Sequence, residues 1–134
     1  MRTPAERAYF ETYVRPRLGA GVEYAGEVGG ADKHALLAGA RALVNPIGWP
    51  EPFGLVMIEA MACGTPVLAY PSGAAPEIVE HGVTGLLCQD ADELTAAFEK
   101  IDLLDRTACR EAVETRFSAA RMVAEHADLY ASLA

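Results

Sequence analysis

No stretch of this chain is long and apolar enough to cross a membrane as a helix. Pro, Gly or Glu breaks every apolar run well before the roughly 18 residues that a span needs. The start, Met1 to Arg7, carries no apolar core of the kind a secretion signal requires, so none is expected. Positive charge is scarce: 11 Lys and Arg stand against 19 Asp and Glu, a net charge of −8. That balance speaks against nucleic acid, whose phosphates need a basic face. It leaves room for a small anionic ligand, because backbone dipoles act locally. Cysteine is sparse and odd in number: Cys63, Cys88 and Cys109 fit neither a metal knuckle nor a disulfide framework. They read as buried or incidental thiols of a reducing, cytoplasmic compartment. A Gly-x-Gly-x-x-Gly run and a Walker loop are both absent, which excludes the usual dinucleotide oxidoreductase and NTPase patterns. Ser72-Gly73 lacks the Gly-x-Ser-x-Gly frame of a nucleophile elbow. His34, His81 and His126 have no partner at metal-ligand spacing and read as solvated or helix-end residues.

What is present is an ordinary globular composition, 51% hydrophobic and 22% charged, over 134 residues, enough for one core. Helical spacing predicts helices over 4–18, 33–41, 53–63, 75–81, 92–101, 106–116 and 118–133. Pro4 suits the first turn of the first, and Asp32 is placed to cap the second. Short apolar runs predict strands at 22–25, 42–45, 66–70 and 85–88. Strands alternating with helices give an α/β fold, a partial Rossmann-like parallel sheet of about four strands flanked by helices. The expected strand order is 22–25, 42–45, 67–70, 85–88. No repeat or linker divides the chain, so residues 1–134 form one unit.

The informative segment runs from Asn45 to Pro66. In a parallel sheet, ligands bind beyond the carboxyl ends of strands, near the helix starts that follow. The loop after strand 42–45 carries Glu51 and leads into a helix opening at Phe53-Gly54-Leu55. Gly54 permits close approach to the backbone, and the free N–H groups there favour a phosphate. Glu59 lies deeper, among Val56, Met57, Ile58, Ala60, Met61 and Ala62. A carboxylate in so apolar a helix needs partners. Vicinal ribose hydroxyls would serve, and so would an internal backbone N–H or an Arg; residue type alone leaves both open. Trp49 is equally open between lining a pocket and anchoring packing. Pro76-Glu77 could bring a helix start to the site, or simply form a turn and cap.

The run Glu51-Pro52-Phe53-Gly54-Leu55-Val56-Met57-Ile58-Glu59-Ala60-Met61-Ala62-Cys63-Gly64-Thr65-Pro66-Val67 resembles the core motif of retaining GT-B-fold glycosyltransferases of family GT4. Pro76-Glu77-Ile78-Val79, Gly82-Val83-Thr84-Gly85-Leu86-Leu87, Tyr24-Ala25-Gly26-Glu27-Val28 and Arg116-Phe117-Ser118 resemble its other segments, in order. The resemblance implies the C-terminal, donor-binding domain of such an enzyme. It implies that Glu59 binds the donor ribose and that Glu51, the catalytic position, contacts hydroxyls of the donor sugar. Backbone N–H groups at Phe53, Gly54 and Leu55 would hold the sugar and distal phosphate, with Gly26, Glu27 and Val28 beside the base. The donor would be a UDP- or GDP-sugar or similar, with no cofactor and no metal. The reaction would keep the anomeric configuration through an oxocarbenium-like, front-face substitution.

The family's Gly-Arg…Lys-Gly segment, which neutralises the diphosphate, has no counterpart here. The chain is expected to start at the domain's second helix, without its first strand-helix-strand or the N-terminal acceptor domain, and so to be inactive alone. That leaves strand 42–45 in need of cover, from strand 22–25, a homo-oligomer or the missing domain. Two other functions stand beside donor binding in an enzyme fragment: a non-catalytic nucleotide-binding or assembly module, and a nucleotide-sugar epimerase of the same fold.

Overall fold

The computed structural model describes residues 3–133; Met1, Arg2 and Ala134 lie outside it, and the reading of the first residues for a secretion signal falls partly there. Three parallel strands, β1 (Leu43–Asn45), β2 (Val67–Ala69) and β3 (Gly85–Leu87), lie in the order β1-β2-β3. Leu43 pairs with Val67, and Val67 with Gly85. β2 is buried throughout. Because side chains alternate across a strand, β2 feeds two cores. Val67 and Ala69 join Leu37, Met57, Ala60, Met61, Ile78 and Cys109 on one face, while Leu68 joins Cys88, Leu94, Ala97 and Ile101 on the other.

The helices are α1 (Pro4–Tyr9), α2 (Gly30–Gly39), α3 (Leu55–Ala62), α4 (Ala75–Ile78), α5 (Ala91–Ala97), α6 (Arg106–Arg116) and α7 (Ala119–Ser132). α3 and α6 pack together on the first face of the sheet. α1 has a capping box, with Thr3 and Glu6 each bonding the other's backbone N–H at 3.2 Å. It continues as a wider turn over Phe10–Val14 and a tight one over Arg15–Arg17. Pro16 cannot donate a backbone hydrogen bond, so regular α-helix fails before it. α5, α6 and α7 start on side-chain caps from Asp90, Asp105 and Ser118.

α6 also holds other helix ends. Cations suit helix C-termini, where carbonyls lack partners. Arg106 donates to the carbonyls of Ala38 and Ala40, both at 2.8 Å, at the end of α2. Arg110 reaches the Ala62 carbonyl at the end of α3, and Arg116 reaches the Glu77 carbonyl in α4. Fully buried Thr65 completes the first contact: its hydroxyl donates to the Leu37 carbonyl at 2.6 Å and accepts from Arg106 at 2.9 Å.

The structure corrects three expectations. Residues 22–25 form no strand. The Gly19-Ala20-Gly21 turn, with φ of +95°, +49° and +92°, folds Val22 back against Gly19, and Tyr24 packs at a tilt against Phe10 with ring centroids 4.8 Å apart. The sheet therefore has three strands among the described residues, and β1 is an edge. Asp32 does not cap α2; Gly29 is the cap and Asp32 sits in the first turn. α3 opens at Leu55, not at Phe53. The other helix and strand expectations shift only at their ends. No helix among the described residues is long and apolar enough to cross a membrane.

Two measurements test this packing. Thr65→Val keeps the shape but leaves one Arg106 donor without this partner and the Leu37 carbonyl with only the Ala40 N–H. It should lower the unfolding free energy by about 1–3 kcal/mol in urea titrations, and an unchanged midpoint would contradict the network. Burial also raises the thiol pKa of Cys88 and of Cys109, while Cys63 is only half-buried. Both buried thiols stay neutral when folded, so they leave stability unchanged at lower pH and reduce it as pH climbs past the ordinary thiol value. With a thiol reagent near pH 8, Cys63 should react first, and the other two only on unfolding.

Candidate functional site

The β1–α3 connection places the candidate residues. β1 ends at Asn45, and the loop carries Trp49, exposed, and Glu51, half-buried. The chain then turns at Gly54, whose left-handed φ of +76° aims the backbone into α3. A β-carbon there would lie 2.4 Å from the mobile end of Met57, Cε, and it is the left-handed φ that favours glycine at this turn. No side chain caps α3. Met57 N–H bonds back to the Gly54 carbonyl at 3.0 Å. The N–H groups of Leu55 and Val56 precede the first helical acceptor and face outward with their dipoles aligned. Phe53 and Leu55 are 50% and 64% exposed, so the protein does not plug this helix end.

α3 is apolar nearly all round yet buried on one side. Met57, Ala60 and Met61 face the core. At 100° per residue, Leu55 and Glu59 stand together on the opposite face. This corrects the expectation of a deeply buried Glu59. Its side chain is 35% exposed, and its Oε1 accepts from Lys33 Nζ at 2.6 Å. Of the two partners that residue type left open, the protein itself supplies a third, a lysine. Oε2 takes no hydrogen bond from a described residue.

Glu51 is held by its backbone. The Ala74 N–H donates to the Glu51 carbonyl at 3.0 Å. Gly73, at φ +57°, passes so close that a β-carbon would sit 2.4 Å from both Glu51 N and Glu51 O. The Glu51 carboxylate forms no ion pair with a described residue. Glu51, Gly54, Leu55 and Glu59 are thus assembled around one helix start. Gly26, Glu27 and Val28 lie in a loop that leads through Gly29 into α2, about one helical turn before Lys33 meets Glu59. Among the described residues no hydrogen bond or ion pair joins that loop to Glu51 or Glu59. Glu77 serves α4 and the Arg116 contact. A groove of about 630 Å³ runs between α3 and α7, lined by Phe53, Leu55, Ile58, Phe117, Met122 and His126. Among the described residues no group of three or more His, Cys, Asp or Glu side chains is placed to hold a metal.

Sequence reasoning missed Lys33 and Gly73. Gly73 carries a faint signal, since a Pro-Ser-Gly turn after a strand suggests a tight approach. Lys33 carries none beyond its position in a helix.

Comparisons with known proteins fit this geometry. A family model described as glycosyl transferases group 1 matches residues 2–103. The chain is 33% identical over 111 residues to N-acetyl-alpha-D-glucosaminyl L-malate synthase of Bacillus anthracis, covering 77% of this chain and 29% of that protein. It is 45% identical over 78 residues to a D-inositol 3-phosphate glycosyltransferase of Mycobacterium sp., 56% of this chain and 18% of the other. Sucrose-phosphate synthase from Thermosynechococcus elongatus superposes with a TM-score of 0.75 at 36% identity, over 96% of this chain and 34% of that one. Anabaena Alr3699/HepE, solved with UDP and glucose, gives 0.73 at 29% identity, over 95% and 36%. The chain spans about a third of the length of such relatives.

Gly73→Ala tests the support of Glu51. The added methyl must displace the Pro50–Glu51 backbone and also occupy a left-handed conformation. A loss of about 1–3 kcal/mol is expected, together with amide shift changes centred on residues 50–54 in NMR spectra. Shifts confined to residues 72–75 would show that the two loops are not coupled.

Proposed function

The chain belongs to the glycosyl transferases group 1 family, and from that premise we propose that it forms the donor-binding portion of a GT4-type retaining enzyme that moves a sugar from a nucleoside diphosphate to an acceptor. The observation that carries this reading is the pairing of an uncapped helix start with two carboxylates, Glu51 before it and Glu59 one turn inside it. The two ends of a nucleotide-sugar need different chemistry. A diphosphate wants N–H donors and an aligned dipole, which Leu55 and Val56 present. Ribose hydroxyls want an ionised acceptor, which Glu59 Oε2 offers.

The mechanism follows from the order of these parts. With the ribose on Glu59 and the distal phosphate at the start of α3, the anomeric carbon comes to the Glu51 side of the loop. Glu51, free of ion pairs, accepts hydrogen bonds from sugar hydroxyls and fixes the ring. Departure of the nucleoside diphosphate loads negative charge onto oxygens beside the α3 dipole, which stabilises it most as the bond breaks. An acceptor hydroxyl attacks the oxocarbenium-like carbon on the face the diphosphate leaves, and its proton passes to the departing phosphate oxygen. Configuration is retained. The loop Gly26–Val28 lies beside the base. The chain's share of this reaction is donor recognition; the acceptor side belongs to another domain of the whole protein. No metal or other cofactor enters these steps.

Calorimetric titration with UDP-, GDP- and ADP-sugars tests the reading. One nucleotide series should bind, and Glu59→Ala should weaken it by about tenfold or more, the worth of charge-assisted hydrogen bonds. Unchanged affinity in that variant would remove the ribose assignment. Robust sugar transfer by the chain alone would overturn the view that it contributes only donor binding.

A further inference from the structure

Glu59 is held by one cation, and the character of that contact sets it apart. The pairs Arg15–Glu11, Arg110–Glu114 and Arg121–Glu125 join residues four apart on exposed surfaces, and Arg41–Asp102 has side chains 62% and 68% exposed. Such pairs contribute little. Lys33–Glu59 is different among the described residues: it spans 26 positions, links α2 to α3, and leaves the two side chains only 32% and 35% exposed.

The pair is not the anchor of the C-terminal end of α2. The end of that helix is already fixed by Thr65 on the Leu37 carbonyl and by Arg106 on the Ala38 and Ala40 carbonyls. Nor do the helix dipoles favour it. Lys33 sits in the N-terminal half of α2 and Glu59 in the C-terminal half of α3, the less favourable half for each charge. What the contact does accomplish is geometric. A glutamate has three rotatable side-chain bonds, and a free one on a helix surface samples many positions. Lys33 engages Oε1 at 2.6 Å and leaves Oε2 unoccupied.

We propose that Lys33 is a positioning residue for donor recognition: its ammonium fixes the Glu59 carboxylate so that the free oxygen accepts from the vicinal hydroxyls of a ribose. This rests on the reading of Glu59 as the ribose acceptor. Lys33 acts through Glu59 and touches no part of the nucleotide. The preorganisation reduces the ordering that the nucleotide must impose on binding.

The discriminating measurement is the preference for ribose over 2′-deoxyribose, followed by NMR titration of the labelled chain with UDP and dUDP, GDP and dGDP, and ADP and dADP. A general loss of structure would weaken both members of a couple; loss of positioning weakens only the ribo form. The wild-type chain should prefer the ribo form of its best nucleotide by about tenfold. Lys33→Met, which keeps the apolar stem, should reduce the preference to less than about threefold while the affinity for the deoxy form stays unchanged. Lys33→Arg should restore most of it. Lys33→Gln gives a second reading with the same outcomes should Lys33→Met fail to fold. A Lys33→Met chain that keeps the full preference overturns the inference and leaves the donor site standing. A wild-type chain without any preference overturns the assignment of Glu59, and the role of Lys33 with it.

Discussion

The candidate site depends on one division: α3 has the core on one side and water on the other. Met57, Ala60 and Met61 bury themselves against β2 and α6, at spacings that set the helix's rotation about its own axis. Once that rotation is fixed, Leu55 and Glu59 must face outward. A sheet strand buried on both faces supplies the platform, since β2 leaves no freedom for the helix to roll or slide. The tight passage of Gly73 against Glu51 and the left-handed turn at Gly54 then fix where the helix begins. Three unrelated local constraints thus converge on one helix end.

The sequence read well where local rules decide. Strands 42–45, 66–70 and 85–88 are short apolar runs punctuated by Gly and Pro, and all three exist in the expected order. The bounds of α6 were readable from Asp105 and the spacing that follows it. It read poorly where tertiary context decides. Val22–Ala25 has the composition of a strand, but a strand needs a neighbour, and the turn at Gly19–Gly21 takes Val22 elsewhere. α3 looked buried because every neighbour of Glu59 is apolar. Yet apolar composition is not burial: Leu55 is 64% exposed. The error mattered, because it made Glu59 a costly interior charge in need of rescue. In the structure it is a half-exposed charge that already has a partner and one oxygen to spare.

The site legible in sequence was the helix start with its two glutamates. What could not be read was how they are held. Lys33 lies 26 residues from Glu59, and nothing in a linear pattern joins a lysine on one helix to a glutamate on another. Gly73 acts by having no side chain beside a backbone 22 positions away. Both effects belong to packing between elements, which sequence periodicity does not encode.

The distribution of cations gives these details a common direction. The chain is acidic, and the cations around α3 are engaged. Lys33 is on Glu59, Arg110 on Glu114 and the Ala62 carbonyl, Arg116 on the Glu77 carbonyl, and Arg121 on Glu125 and the Arg116 carbonyl. A diphosphate at the start of α3 would therefore meet dipoles and N–H groups from these residues, not a free positive charge. Dipoles orient an anion but hold it weakly against water and salt. On the proposed reading the ribose end is the reverse case, because the Glu59 carboxylate is fixed in advance by Lys33. Preference for ribose over deoxyribose rests, on the same reading, on this contact, while the α3 dipole matters most when charge gathers on the leaving diphosphate. On that reading the two carboxylates divide the work: the glutamate one turn inside the helix has a lysine of its own, and the one in the loop before it has no ion pair with a described residue.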